Sequence, residues 1–165
     1  MDCHPTPEPE HKWLMQLVGE WDFQSKCVMP DGQPATSSGR EVVRSVGDIW
    51  VIGELVGTMP GGGGGEGEMT GIMTVGFDTR TRRFVGSWVG SPMTGMFVYD
   101  GTRDASGKVL TLNCTGPAFT DPTATANYRD IVTIDSPNER RLTSQFQDDD
   151  GNWHTMMEAT FRRLK

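Results

Sequence analysis

The sequence predicts an all-β protein: a closed antiparallel up-and-down β-barrel of about ten strands, preceded by a short helix. Three observations carry this reading. Past Gly19 the chain runs as short stretches rich in Val, Ile, Thr, Phe, Trp and Tyr, divided by turn residues, with no helical stretch between them. Several of these stretches alternate apolar and polar residues, as a wall with one dry face requires. The 165 residues include 21 glycines, and each glycine costs about 1 kcal/mol relative to alanine inside a helix. A long meander of strands has two exposed edges, and closing it into a barrel removes both.

The elements follow in order. Residues 1–7, with Pro5 and Pro7, read as a flexible tail, and residues 8–165 as one barrel domain. Between Glu8 and Leu17, the residues Trp13, Leu14 and Leu17 recur at roughly helical spacing, which predicts one or two amphipathic turns. Gly19 ends them, being tolerant of positive φ. Strands are expected at 19–29, 36–46, 49–58, 69–78, 83–90, 95–102, 108–116, 124–135, 140–148 and 153–163. The breaks between them carry turn chemistry such as Pro30-Asp31-Gly32, Asp104-Ala105-Ser106-Gly107 and Asp149-Asp150-Gly151. In the ninth strand Leu142, Ser144 and Phe146 share a face. In the last, Trp153, Met157, Ala159 and Phe161 share one face, and His154, Glu158 and Arg162 the other. Gly71, Gly76, Gly86 and Gly90 blur the alternation in the fourth and fifth, which fits bends or close backbone approaches at a barrel corner.

Trp21 opens the first strand, just behind Gly19. A barrel of this size has a wide interior whose lower end must be filled, and an indole at that point can fill it. The meander returns the last strand beside the first, where a guanidinium can stack on the indole for about 0.5–2 kcal/mol. Arg163, in phase with Phe161, is favoured for this role.

Composition narrows the function classes. A domain of this length buries about 70% of the surface its unfolded chain exposes, so it folds without a metal or a disulfide. No run of about 20 apolar residues is present. The opening MDCHPTPEPEHKW lacks the basic and apolar regions of a signal peptide, so a cytoplasmic protein is expected. Cys3, Cys27 and Cys114 are scattered and odd in number, and read as idle or buried thiols. A net charge of −7 disfavours nucleic acid as a partner.

The Gly-x-Trp behind a short helix, with an arginine closing the last strand, resembles the calycin superfamily of lipocalins, fatty-acid-binding proteins and their relatives. The segments HKWLMQLVGEW, GDIWVIGE, MTVGFDTRTRRFVGSWVGS, LNCTGPAF, NYRDIV and DDGNW resemble, in order and spacing, a mostly bacterial family of uncharacterised domains assigned to the calycins. The similarity extends from Lys12 to Arg163 and departs from the family at the N-terminal tail and at the Gly61–Gly65 run. It implies a lipocalin-like barrel and no particular activity. Some related barrels hold haem through one histidine on a late strand, which draws attention to His154.

The candidate chemistry is sparse. Gly61–Gly65 lacks the Gly-Lys-Ser/Thr of a phosphate loop and is followed by Glu66 and Glu68, so it reads as a flexible hairpin loop at the barrel mouth. No Gly-x-Ser-x-Gly elbow occurs. His154 and Glu158, about 13 Å apart along a strand, cannot share a metal ion, and no metal site is expected. In Tyr128-Arg129-Asp130, alternation sends Tyr128 and Asp130 inward with Ala126 and Val132. That pair fits a structural network reaching Arg40 or Arg44, a contact to a ligand, or an acid and base. Glu54, in phase with Trp50 and Ile52, is either inward and functional or solvated at a strand end. The ten methionines fill the core or line a pocket.

The resulting expectation is a module that encloses a small hydrophobic or amphipathic ligand. Trp50, Glu54, Met73, Trp88, Phe97, Tyr128, Asp130, Phe146 and Met157 line or anchor it, and Gly19, Trp21 and Arg163 close the base. No resident cofactor, nucleic acid or membrane partner is expected, and a homodimer is compatible with the sequence. The alternatives are an enzyme in the same barrel, either a haem protein through His154 or a cofactor-free isomerase or cyclase using Tyr128 and Asp130, and an interaction protein whose barrel is filled by side chains.

Overall fold

A computed structural model describes residues 3–59 and 67–165. The Gly61–Gly65 run and its expected loop lie outside the described residues. Helix α1 spans Pro9–Met15. Ten strands follow: β1 (Gly19–Val28), β2 (Pro34–Val46), β3 (Trp50–Thr58), β4 (Glu68–Asp78), β5 (Arg83–Gly90), β6 (Phe97–Arg103), β7 (Val109–Pro117), β8 (Thr125–Ser136), β9 (Glu139–Gln147) and β10 (Trp153–Arg163). Each strand pairs antiparallel with the next, and β10 pairs back onto β1, closing the barrel. Trp21 faces Arg163 and Phe23 faces Phe161 across that closing seam. The strand boundaries agree with the sequence reading to within about two residues, because turn chemistry fixes where each extended stretch must stop.

The helix lies across one end, here called the floor. Pro9 occupies its first turn, where the missing N–H costs nothing. The Glu8 N–H donates to His11 Nδ1 (2.9 Å), leaving His11 Nε2 to donate to the Phe77 carbonyl (3.0 Å). His11 is buried and pins the helix to β4. Leu14 and Leu17 are buried beneath it, and Trp13 packs edge-on against Phe84.

Gly19, Trp21 and Arg163 meet at the floor. Gly19 turns the chain with φ 143°, and a Cβ there would run into the Arg163 guanidinium and the Lys165 carbonyl. The Trp21 indole N–H donates to the Leu17 carbonyl (2.9 Å). Arg163 lies 4.2 Å from the indole centre and donates to the carbonyls of Val18 (2.6 Å) and Gln16 (2.7 Å). These bonds tie the last strand to the orphaned carbonyls at the end of α1.

Two local features change what the barrel presents. Strand β10 carries a bulge between Thr155 and Met157, which reverses the alternation beyond it. The other feature is at β6 and β7, which pair over only four residues, Asp100–Arg103 with Leu110–Asn113. Toward the mouth that seam carries no further pairing.

Candidate functional site

The inward residues divide into two levels. Near the floor, Trp21, Phe23, Val51, Val75, Phe84, Leu110, Val132 and Phe161 are buried. Toward the mouth, Met73, Trp88, Phe97, Cys114, Phe146 and Met157 point inward, as their registers with other inward residues require, yet remain partly exposed.

Small residues lie between these side chains. Ala35, Ser37, Gly39, Gly53, Gly57, Gly71, Gly86, Gly90, Gly116 and Ala126 hold inward positions on the upper walls. The Trp88 ring lies flat over two of them. A Cβ on Gly90 would overlap the ring, and one on Gly71 would sit 3.1 Å from it. Without those side chains the indole rests against its own wall instead of crossing the interior. Phe97 packs 6.1 Å from Trp88 and 6.0 Å from Tyr128.

One carboxylate stands among these groups. Asp130 accepts hydrogen bonds from the Tyr99 hydroxyl and, at 2.6 Å, from the Ser144 hydroxyl. Enclosure away from water raises its pKa, and the two hydroxyls only partly offset this. Tyr99 is raised well above its ordinary value, by burial first and by Asp130 second. The Cys114 thiol is pushed up to about 12 by burial and the same carboxylate, so it is inert as a nucleophile at neutral pH.

Of the expected site residues, Met73, Trp88, Phe97, Tyr128, Asp130, Phe146 and Met157 do come together inside the barrel. Trp50 and Glu54 do not. Trp50 pairs with Val46 and Gly76, its ring lying over Gly76, and Glu54 is exposed. Their neighbours Val51, Gly53 and Leu55 take the inner face of β3, because the inward stripe there runs through the smaller residues. Tyr128 is not Asp130's partner, since its hydroxyl donates to the Pro117 carbonyl (2.6 Å). Nor do Arg40 and Arg44 reach Asp130, both being exposed on the outer face of β2. The partners Tyr99 and Ser144 went unnoticed in the sequence, although Ser144 shares a face with Leu142 and Phe146.

A buried ion pair was also missed. Arg140 donates to Glu41, with 3% and 6% of their side chains exposed. Its guanidinium lies 4.0 Å from the Phe161 ring centre and 4.7 Å from that of Trp21. Burial lowers the Arg140 pKa and Glu41 opposes that shift. The signal was present in phase: Arg140 alternates with Leu142, and Glu41 with Val43.

The β10 bulge relocates His154. Sequence alternation set it beside Glu158 facing water, with Trp153 inward. Instead Trp153 faces outward under Arg129 (4.0 Å). His154 pairs with Phe146, stacks on it at 5.1 Å, and joins the Asp148 carboxylate through Nε2 (2.6 Å). It thus stands at the inner rim, half-exposed. A haem iron does not fit this arrangement: Nε2 is taken by Asp148, one ring face is covered by Phe146, and no lysine or arginine lines the upper interior to meet haem carboxylates. Among the described residues no group of three or more His, Cys, Asp or Glu could hold a metal ion. No helix among them is long and apolar enough to cross a membrane.

On the outer wall, where the β6–β7 pairing ends, a shallow groove of about 400 Å³ runs past Val98, Asn113, Asn127 and Trp153 and reaches Cys114 and Tyr128.

Solved structures share this fold at low sequence identity. Rv2717c from M. tuberculosis superposes with a TM-score of 0.66 at 15% identity, over 97% of this chain and 100% of that one. The S-type phycobiliprotein lyase CPES from Guillardia theta gives 0.64 at 14% identity, over 96% and 99%. No curated protein matches the chain. These likenesses show the fold, a closed β-barrel, and the match of residues 6–163 to one family model is more specific: the chain belongs to the family described as Protein of unknown function (DUF1579).

Proposed function

We propose that the protein binds a small apolar or amphipathic molecule in the upper half of its barrel. The observation that carries this reading is the partial exposure of inward-facing Trp88, Phe97, Met73, Phe146 and Met157 above a dry, plugged floor. A side-chain-filled barrel would have covered them. Each Å² of apolar surface withdrawn from water favours binding by about 25 cal/mol, less the cost of immobilising the ligand. Asp130, with Tyr99 and Ser144, offers one polar anchor beneath the apolar walls. The enzymatic alternative built on Tyr128 and Asp130 loses its geometry, because the Tyr128 hydroxyl is committed to Pro117.

Native mass spectrometry of protein from its own source tests the proposal, alongside a fluorescence titration with the neutral apolar probe N-phenyl-1-naphthylamine. A co-purifying mass or saturable probe binding is expected. Trp88→Ala should weaken the probe several-fold, whereas Val98→Ala, on the outer face, should leave it unchanged. An empty mass together with no saturable binding overturns the proposal.

A further inference from the structure

Above the floor, the charged side chains facing the barrel interior and its mouth are acidic, apart from the rim histidine His154. On the inner face the guanidiniums of Arg140, Arg163 and Arg103 lie at the floor. Arg140 is held by Glu41, Arg163 by backbone carbonyls, and Arg103 lies 6.0 Å from the Trp13 ring. Above them every inward position on the ten strands is apolar, small or hydroxylic, apart from Asp130 and the rim histidine His154. The connections at the mouth continue the pattern. Segments 29–33, 91–96, 118–124 and 148–152 contain Asp31, Asp121, Asp148, Asp149 and Asp150, and no lysine or arginine. The floor end differs, since Arg80, Arg82, Lys108 and Lys165 are interspersed there with acids.

Asp130 is also built to accept. Two hydroxyls converge on its two oxygens, and a carboxylate offers about four acceptor positions. Acceptor capacity therefore remains for a donor arriving from the lumen. An anionic head group would meet a carboxylate with no cation to balance it, at a desolvation cost that nothing in the upper barrel offsets. A cationic head group meets the opposite situation, and the acidic rim raises its local concentration at the mouth.

We infer that the barrel selects an amine-bearing amphiphile, with its N–H donors on Asp130 and its apolar body against Trp88 and Phe97, and rejects carboxylate amphiphiles of the fatty-acid kind. This rests on the proposed interior binding site and specifies the ligand class it takes. The test is displacement of N-phenyl-1-naphthylamine from the intact protein at pH 7 by chain-matched dodecylamine, dodecanol and dodecanoate, each below its micelle concentration. Dodecylamine should displace the probe at a concentration at least tenfold lower than dodecanoate, with dodecanol between them. At about 1 M salt, where exposed charges are screened within about 3 Å, the order should persist, because the deciding carboxylate is enclosed. Asp130→Asn should bring dodecylamine and dodecanoate to within about threefold of each other. If that variant does not fold, Ser144→Ala, which keeps the carboxylate, should retain the order. Equal or stronger displacement by dodecanoate overturns the inference while leaving the binding site standing. A preference that vanishes in high salt also overturns it, since the acidic exterior alone would then account for the order. No binding of the probe removes both readings together.

Discussion

The lower and upper halves of this barrel are made from the same ten strands, yet the lower is packed with large buried rings and the upper carries small residues and partly exposed rings. Near the floor, the inward positions carry Trp21, Phe23, Phe77, Phe84 and Phe161, all buried and in mutual ring contact or stacked under guanidiniums. Toward the mouth, equivalent inward positions carry Gly, Ala and Ser, and the aromatic rings that remain lie along the wall. Alternation decides which face a residue occupies, and side-chain volume decides whether that face is filled. A strand pattern can thus specify a tightly filled end and a less crowded end in one continuous sheet.

The floor should be the energetic centre of the fold. Trp21→Ala removes a 2%-exposed indole together with the platform on which Arg140 and Arg163 rest. A loss of about 3–5 kcal/mol is expected, read as a fall in the urea midpoint. An effect below about 1 kcal/mol would mean that the floor does not hold the barrel shut. The upper half should respond differently. Gly90→Ala pushes the Trp88 ring off its wall and into the lumen, costing about 1–3 kcal/mol by overpacking. Titration with N-phenyl-1-naphthylamine should register a larger change than unfolding does, with at least a tenfold loss of affinity. Unchanged affinity would mean that the lumen is wider than the Trp88 geometry implies.

The smallest expected effect is a pH dependence of stability that Asp130 contributes. Its folded pKa lies above the ordinary 3.8 because of enclosure. Between those two values the native state binds more protons than the unfolded chain, so this group's contribution falls as pH rises through that window and is level above it. Carboxylates with lowered pKa, such as Asp148 and Asp104, have the opposite slope. Subtracting the pH profile of Asp130→Asn from that of the parent isolates the Asp130 contribution. A difference that rises with pH would show that Asp130 is stabilised as a carboxylate.

The enclosed Arg140–Glu41 pair lies at the floor, inside the barrel. It reaches from β9 to β2 beside Trp21. Removing one partner of such a pair costs far more than replacing both with apolar residues, so its presence is weak evidence for stability.

Much of the fold was legible from the chain. Turn residues set all ten strand boundaries, and Gly19, Trp21 and Arg163 could be matched because they lie at the two ends that a closing meander must bring together. The candidate site was legible only where strict alternation holds, as at Tyr128, Asp130 and Phe146. It failed at His154, because the bulge at Thr155–Met157 leaves no distinct residue signature, and at Trp50 and Glu54, because residues of either face were apolar enough to be inward. Asp130's partners were hidden for another reason: Tyr99 and Ser144 lie 31 and 14 residues away.

By itself, then, the sequence determined the strands, their order, the single helix and the sealed base, since each follows from local turn chemistry, period-two alternation and the avoidance of open edges. Only the tertiary structure decided which hydroxyls meet Asp130, which way the rim of β10 faces, and that Trp88 lies flat on the wall. Those depend on register and on close approach between strands far apart in the chain, where one inserted residue reverses a face and one absent Cβ admits a ring.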